Sequence, residues 1–139
     1  MAAGGAGAAD AAPDALLRVE NLSVGFRTDK GRLLAVDDFT YRIAPGKTLG
    51  LVGESGCGKS TVALAVMGLL PPSATISGQA HFLGSELFAQ TEAQWRQVRG
   101  NRMAMIFQEP MTALNPVIPI GVQISETLLL HQGLSGNAG

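Results

Sequence analysis

A chain of 139 residues is long enough for one domain with a core of its own, and 46% hydrophobic residues is a globular composition. A net charge of −1, from 10 basic and 11 acidic residues, gives no basic surplus for nucleic acid, so no nucleic-acid partner is expected. The single Cys57 excludes an internal disulfide framework, and the longest bulky apolar run, Val62 to Leu70, is about half of what a bilayer span requires.

Residues 1–15 are almost all Ala and Gly and carry too little bulky apolar surface to pack, so they read as a flexible tail. They lack the basic start and apolar run of a signal peptide, since the first basic residue is Arg18. Residues 16–139 are expected to hold the folded part. Leu16 to Phe26 alternates well enough for a strand. Thr28 to Arg32 supplies turn chemistry, and Leu33 to Ile43 reads as the return, with Asp37-Asp38 as an irregularity. Pro45-Gly46 is a turn. Lys47 to Val52 is uniformly apolar after its lysine, the pattern of a strand buried on both faces. Lys59 to Leu70 reads as a helix stopped by Pro71-Pro72.

Further on, Ile76 to Leu83 is expected as a strand and Thr91 to Val98 as a short helix capped by Thr91. Met103 to Phe107 is expected as a second buried strand, Pro110 to Pro119 as a loop, and Ile120 to His131 as a helix with Ile120, Ile124 and Leu128 on one face. Arg96, Arg99 and Arg102 read as a solvated helix surface. Strands first, then strand–loop–helix units, predict an α/β core with an antiparallel sheet attached at its start.

The chemistry concentrates in Gly53-Glu54-Ser55-Gly56-Cys57-Gly58-Lys59-Ser60, which fits the pattern GxxxxGK[ST]. Glycines let the backbone curl so that successive N–H groups face phosphate oxygens. The helix that follows adds the partial positive charge of its N-terminus. Lys59 supplies a mobile cation for the β- and γ-phosphates, and the Ser60 hydroxyl is a ligand type for Mg²⁺. ATP and Mg²⁺ are the cofactors so implied. Cys57 is a small residue with no assigned phosphate contact, read either as a space-filler or as a thiol that bound nucleotide would shield. Neither His81 nor His131 has a partner at zinc-ligand spacing, and Asp37-Asp38 would point to opposite strand faces.

The segment LGLVGESGCGKST, residues 49–61, resembles the phosphate loop of ABC transporter ATPases. MIFQEPMTALNP, residues 105–116, is similar to the Q-loop region of the dipeptide, oligopeptide and nickel importer subgroup, as are residues 66–71 and 120–131. This resemblance runs from about Leu16 to Gly133. It implies a P-loop NTPase core of the RecA-like type behind an antiparallel β subdomain, followed by the start of a helical subdomain. It further implies Gln108 as a residue reaching Mg²⁺ and the attacking water, Phe26 as the aromatic that stacks on adenine, and Thr61 as a donor to the α-phosphate. The parent would be a membrane-associated ATP hydrolase that energises import of a solute, peptides by default. Its partners would be a second ATP-binding subunit, permease subunits at the cytoplasmic face of the cell membrane and, indirectly, a solute-binding protein.

The signature motif, Walker B aspartate, catalytic glutamate and switch histidine of that family do not occur in the sequence, and Leu134-Ser-Gly136 only begins like a signature. The chain is therefore expected to be a partial one, with a non-hydrolysing nucleotide-binding remnant as the alternative. A small kinase, the other class a P-loop allows, has no reason to carry QEPMTALNP. Apolar strands without neighbours predict that the 139-residue chain alone folds poorly or associates.

Overall fold

The computed structural model describes residues 15–108 and 114–133, in seven elements. Residues 1–14 of the expected tail, the middle of the expected Q-loop segment and the Leu134-Ser-Gly136 stretch lie outside the described residues. The chain divides into two units, residues 1–90 and 91–139.

In the first unit, β1 (Leu17–Thr28) and β2 (Gly31–Ile43) form a hairpin closed by Asp29-Lys30. β3 (Ala74–Phe82) pairs with the other edge of β1, and the short β4 (Ser85–Glu86) pairs with β3. The sheet order is β2-β1-β3-β4, and every pairing is antiparallel. Alternation along β1, stepped by one residue at Asn21, brings Val19, Leu22 and Val24 to full burial beside Ala80 of β3. Residues 59–66 form α1 (Lys59–Val66), which buries Val62, Ala65 and Val66.

The expected irregularity at Asp37-Asp38 is present and has a structure. The ladder between β1 and β2 shifts register between Leu22, which pairs with Phe39, and Val24, which pairs with Val36. Asp38 sits at φ 49° and Asn21 at φ 52°, a conformation that short polar side chains tolerate by bonding locally. Asn21 Nδ2 donates to Asp38 Oδ1 at 2.6 Å, the Asp38 N–H donates to Ser23 Oγ at 2.9 Å, and the Asn21 N–H donates to Thr40 Oγ1 at 2.9 Å. A further shift follows, since Val24 pairs with Val36 but Gly25 with Leu34, leaving Ala35 as the extra residue of a bulge.

Two expectations are corrected here. α1 ends at Val66, four residues before the expected Leu70, and prolines do not stop it. Gly68 adopts φ 63°, its N–H donates to Ala65 O at 3.0 Å, and the Leu69 N–H donates to Leu64 O at 2.8 Å. That pair of bonds is a Schellman motif, which only a residue free to enter the left-handed region closes cheaply.

The larger correction concerns the two runs expected as buried parallel strands. Residues 47–52 have no regular structure and no strand partner among the described residues, and Val52 is 99% exposed. Residues 103–107 likewise form no strand beyond an isolated bridge from Met103 to Arg99, and Ile106 is 99% exposed. Apolar runs carry strand propensity, but a strand buried on both faces exists only between neighbours that accept its N–H and C=O groups. The described fold is thus the antiparallel part of the expected α/β architecture, with helices.

In the second unit, α2 (Glu92–Val98) starts at the expected Thr91 cap through a capping box. The Thr91 N–H donates to Gln94 Oε1 at 2.8 Å, and the Gln94 N–H donates to Thr91 Oγ1 at 3.4 Å. Trp95 is buried, with the Arg99 guanidinium 4.8 Å from its ring centroid. Arg99 and Arg96 both pair with Glu92, at 3.1 and 3.9 Å, so these arginines are a helix surface satisfying itself. α3 (Ile120–Gln132) matches its expected bounds to a residue, and Ile120, Ile124 and Leu128 stand exposed along it.

Candidate functional site

The loop before α1 is shaped by two glycines at positive φ, Gly56 at 82° and Gly58 at 93°. Gly58 is the N-cap of α1 and offers no side-chain cap, so the N–H groups that open the helix are left for another acceptor. A Cβ on Gly58 would stand 2.6 Å from Ala35 O and 3.2 Å from Val36 Cγ2. The β2 bulge that sets Ala35 apart is therefore what the loop rests against. On Gly56 a Cβ would meet nothing within 4 Å, so that side of the loop is open.

Lys59, the first residue of α1, turns back over the loop. Its ammonium donates to Gly53 O at 2.6 Å, to Glu54 O at 2.5 Å and to Cys57 Sγ at 3.3 Å. The Cys57 N–H also donates to Glu54 O, at 3.4 Å. At Gly53 a Cβ would fall 2.6 Å from Cys57 Sγ, so a side chain there would displace the sulfur from its present place. Cys57 is exposed, Ser60 is exposed at the mouth of the helix, and Thr61 is half-buried.

Phe26 is half-buried near the end of β1, between Leu33 of β2 and Ala74 of β3. It lies two residues from Val24, and so on the same sheet face as Val24 and its partner Val36, whose Cγ2 closes on Gly58. The sheet thus turns Phe26 and the loop's support to one side. Gln108 is exposed, in the second unit. Sequence reasoning missed Ala35: only the register of the hairpin reveals it, and nothing in its residue type marks it.

The loop fits a polyphosphate by its donors. It combines uncapped helix N–H groups, one ammonium, the exposed hydroxyls of Ser55 and Ser60 and an open glycine flank. Among the described residues no three His, Cys, Asp or Glu side chains gather to hold a metal. The exposed Ser60 hydroxyl is an oxygen ligand of the kind that suits Mg²⁺, a hard cation.

Such equipment defines a P-loop NTPase. Residues 36–123, more than half of the chain, match the ABC transporter family, and the chain belongs to it. It is 50% identical over 122 residues to a putative peptide import ATP-binding protein of Brucella abortus, covering 87% of this chain and 37% of that protein. It is 46% identical over 122 residues to the oligopeptide transport ATP-binding protein OppD of Escherichia coli, covering 88% of this chain and 36% of OppD. An uncharacterised ABC transporter ATP-binding protein of Escherichia coli, YejF, is 47% identical over 125 residues, 88% of this chain and 24% of YejF. The chain thus spans little more than a third of the length of the first two. Among the described residues no helix is long and apolar enough to cross a membrane.

Proposed function

We propose that this chain is the nucleotide-phosphate-binding part of an ATP-binding subunit that energises solute import, with peptides as the solute class its relatives' names suggest. The observation that carries the proposal is the Lys59 ammonium curled onto the Gly53 and Glu54 carbonyls directly ahead of an uncapped helix. In this reading the backbone of Gly53, Glu54, Ser55, Gly56, Cys57 and Gly58 wraps the β- and γ-phosphates. Lys59 neutralises their charge, and Thr61 donates to the α-phosphate. Phe26 stacks on adenine from the sheet face it shares with Val24 and Val36. Ser60 and Gln108 are the residues that would hold Mg²⁺, and the ion would supply positive charge beside the phosphates.

The finer architecture belongs to the same proposal. Residues 1–15 are a tail, and residues 16–139 are the β subdomain, phosphate loop, Q-loop and start of a helical subdomain. Residues 47–52 and 103–107 become central strands of a RecA-like parallel sheet once neighbouring strands pair with them. A second ATP-binding subunit, permease subunits at the cytoplasmic membrane face and a solute-binding protein are the partners this role requires.

The test is ATP hydrolysis by the protein in its native transporter. Lys59→Ala is expected to lower turnover about 10²-fold or more while circular dichroism stays unchanged. Turnover equal to that of the unsubstituted protein would remove Lys59 from the chemistry and the loop from the proposal.

A further inference from the structure

The loop contains one contact that phosphate binding does not explain. An ammonium has three N–H donors and no more. In Lys59 two point at the carbonyls of Gly53 and Glu54, and the third points at the sulfur of Cys57, 3.3 Å away. These three acceptors are unequal. Carbonyl oxygens bond an ammonium well, whereas a thiol sulfur is a weak acceptor. A phosphate oxygen is stronger than any of them, because both partners are then charged.

We infer that Cys57 Sγ competes with nucleotide phosphate for the third N–H of Lys59, and so sets how tightly the loop holds its ligand. The inference rests on the reading of Gly53 to Ser60 as a phosphate loop. An incoming phosphate oxygen takes the donor aimed at sulfur, while the two carbonyls keep Nζ anchored over the loop. Cys57 is in place to compete because Gly53 has no Cβ: one added there would lie 2.6 Å from the sulfur and drive it away. The exposure of Cys57 leaves the sulfur room to yield when the ammonium changes partner. In this role Cys57 is a positioning residue that acts through Lys59.

The sign of the effect separates this role from a structural one. A cysteine that merely filled space would, when truncated, loosen the loop and weaken binding. A competitor, when removed, strengthens it. MgADP affinity of the natively purified protein is the readout, by isothermal titration calorimetry. Cys57→Ala is expected to bind about threefold more tightly, the scale of one modest hydrogen bond. Cys57→Ser, whose hydroxyl is a better acceptor than a thiol, is expected to bind about threefold more weakly. In a Lys59→Met background Cys57→Ala is expected to change nothing, since the donor being contested is gone.

Unchanged or weaker binding by Cys57→Ala overturns the inference, as does an equal gain in the Lys59→Met background. Failure of the unsubstituted protein to bind MgADP at all overturns the phosphate-loop reading with it. Binding that is present but indifferent to residue 57 overturns only the role of the sulfur.

Discussion

Gly58 carries two constraints at once: a φ of 93°, which L side chains rarely adopt, and the Ala35 carbonyl 2.6 Å from where a Cβ would stand. Backbone strain of that kind costs about 1–3 kcal/mol, and here the obstacle is main chain that cannot swing aside. Gly58→Ala is expected to lower unfolding stability by at least about that range in chemical denaturation. Gly56→Ala, with φ 82° but open space around it, is expected to lose less. Equal losses would mean that the bulge at Ala35 does not support the loop. Tyr41 gives a second check at this scale. Burial disfavours its phenolate and pushes its pKa from 10.0 to about 12. Below pH 10 the folded and unfolded states are both protonated there, so the contribution of this group is intact. Between pH 10 and about 12 the unfolded state ionises first and stability falls. A spectrophotometric titration showing Tyr41 ionising at the ordinary tyrosine value would contradict that burial.

At the scale of elements, the ends of the helices decide their lengths. α2 is only seven residues long and depends on its capping box. Thr91→Ala removes one half of that reciprocal pair and is expected to cost about 1 kcal/mol, measured as the shift of the denaturation midpoint at constant slope. Gly68→Ala at the end of α1 is expected to cost a comparable amount, about 1 kcal/mol, because alanine pays for the left-handed conformation that closes the Schellman bonds. Both caps are local devices. Thr91 was therefore visible in the sequence as a Thr followed three residues later by Gln94. Gly68 sits inside an apolar run, VMGLLPP, where the two prolines give the louder signal. The sequence reading accordingly placed the stop at them.

At the scale of the whole molecule, the described surface carries apolar side chains that water does not favour. Val52 and Ile106 are 99% exposed, Val117 86% and Leu130 69%. Val52 and Ile106 belong to apolar runs and Leu130 to α3, whose patterns ask for cover, and Val117 lies in the loop just before α3. The 139-residue chain on its own is therefore expected to associate or to melt without cooperativity. A monodisperse monomer by gel filtration with one sharp thermal transition in circular dichroism would show that these runs need no cover.

The sequence by itself was enough for the parts whose physics is local. The GxxxxGK[ST] spacing, the helix that follows it, the β1–β2 turn at Asp29-Lys30 and the Thr91 cap depend on residues within a few positions of one another. It was also enough for the family, because nine residues in fixed order, as in QEPMTALNP, do not arise from fold propensity alone. Tertiary structure decided the rest. That Ala35 braces Gly58, that Phe26 shares the face of Val24 and Val36, and that Cys57 meets the Lys59 ammonium depend on register and on loop closure. Whether residues 47–52 and 103–107 are strands depends on what lies beside them. A hydrogen-bond ladder is a property of two segments, and an apolar run carries only one side of it.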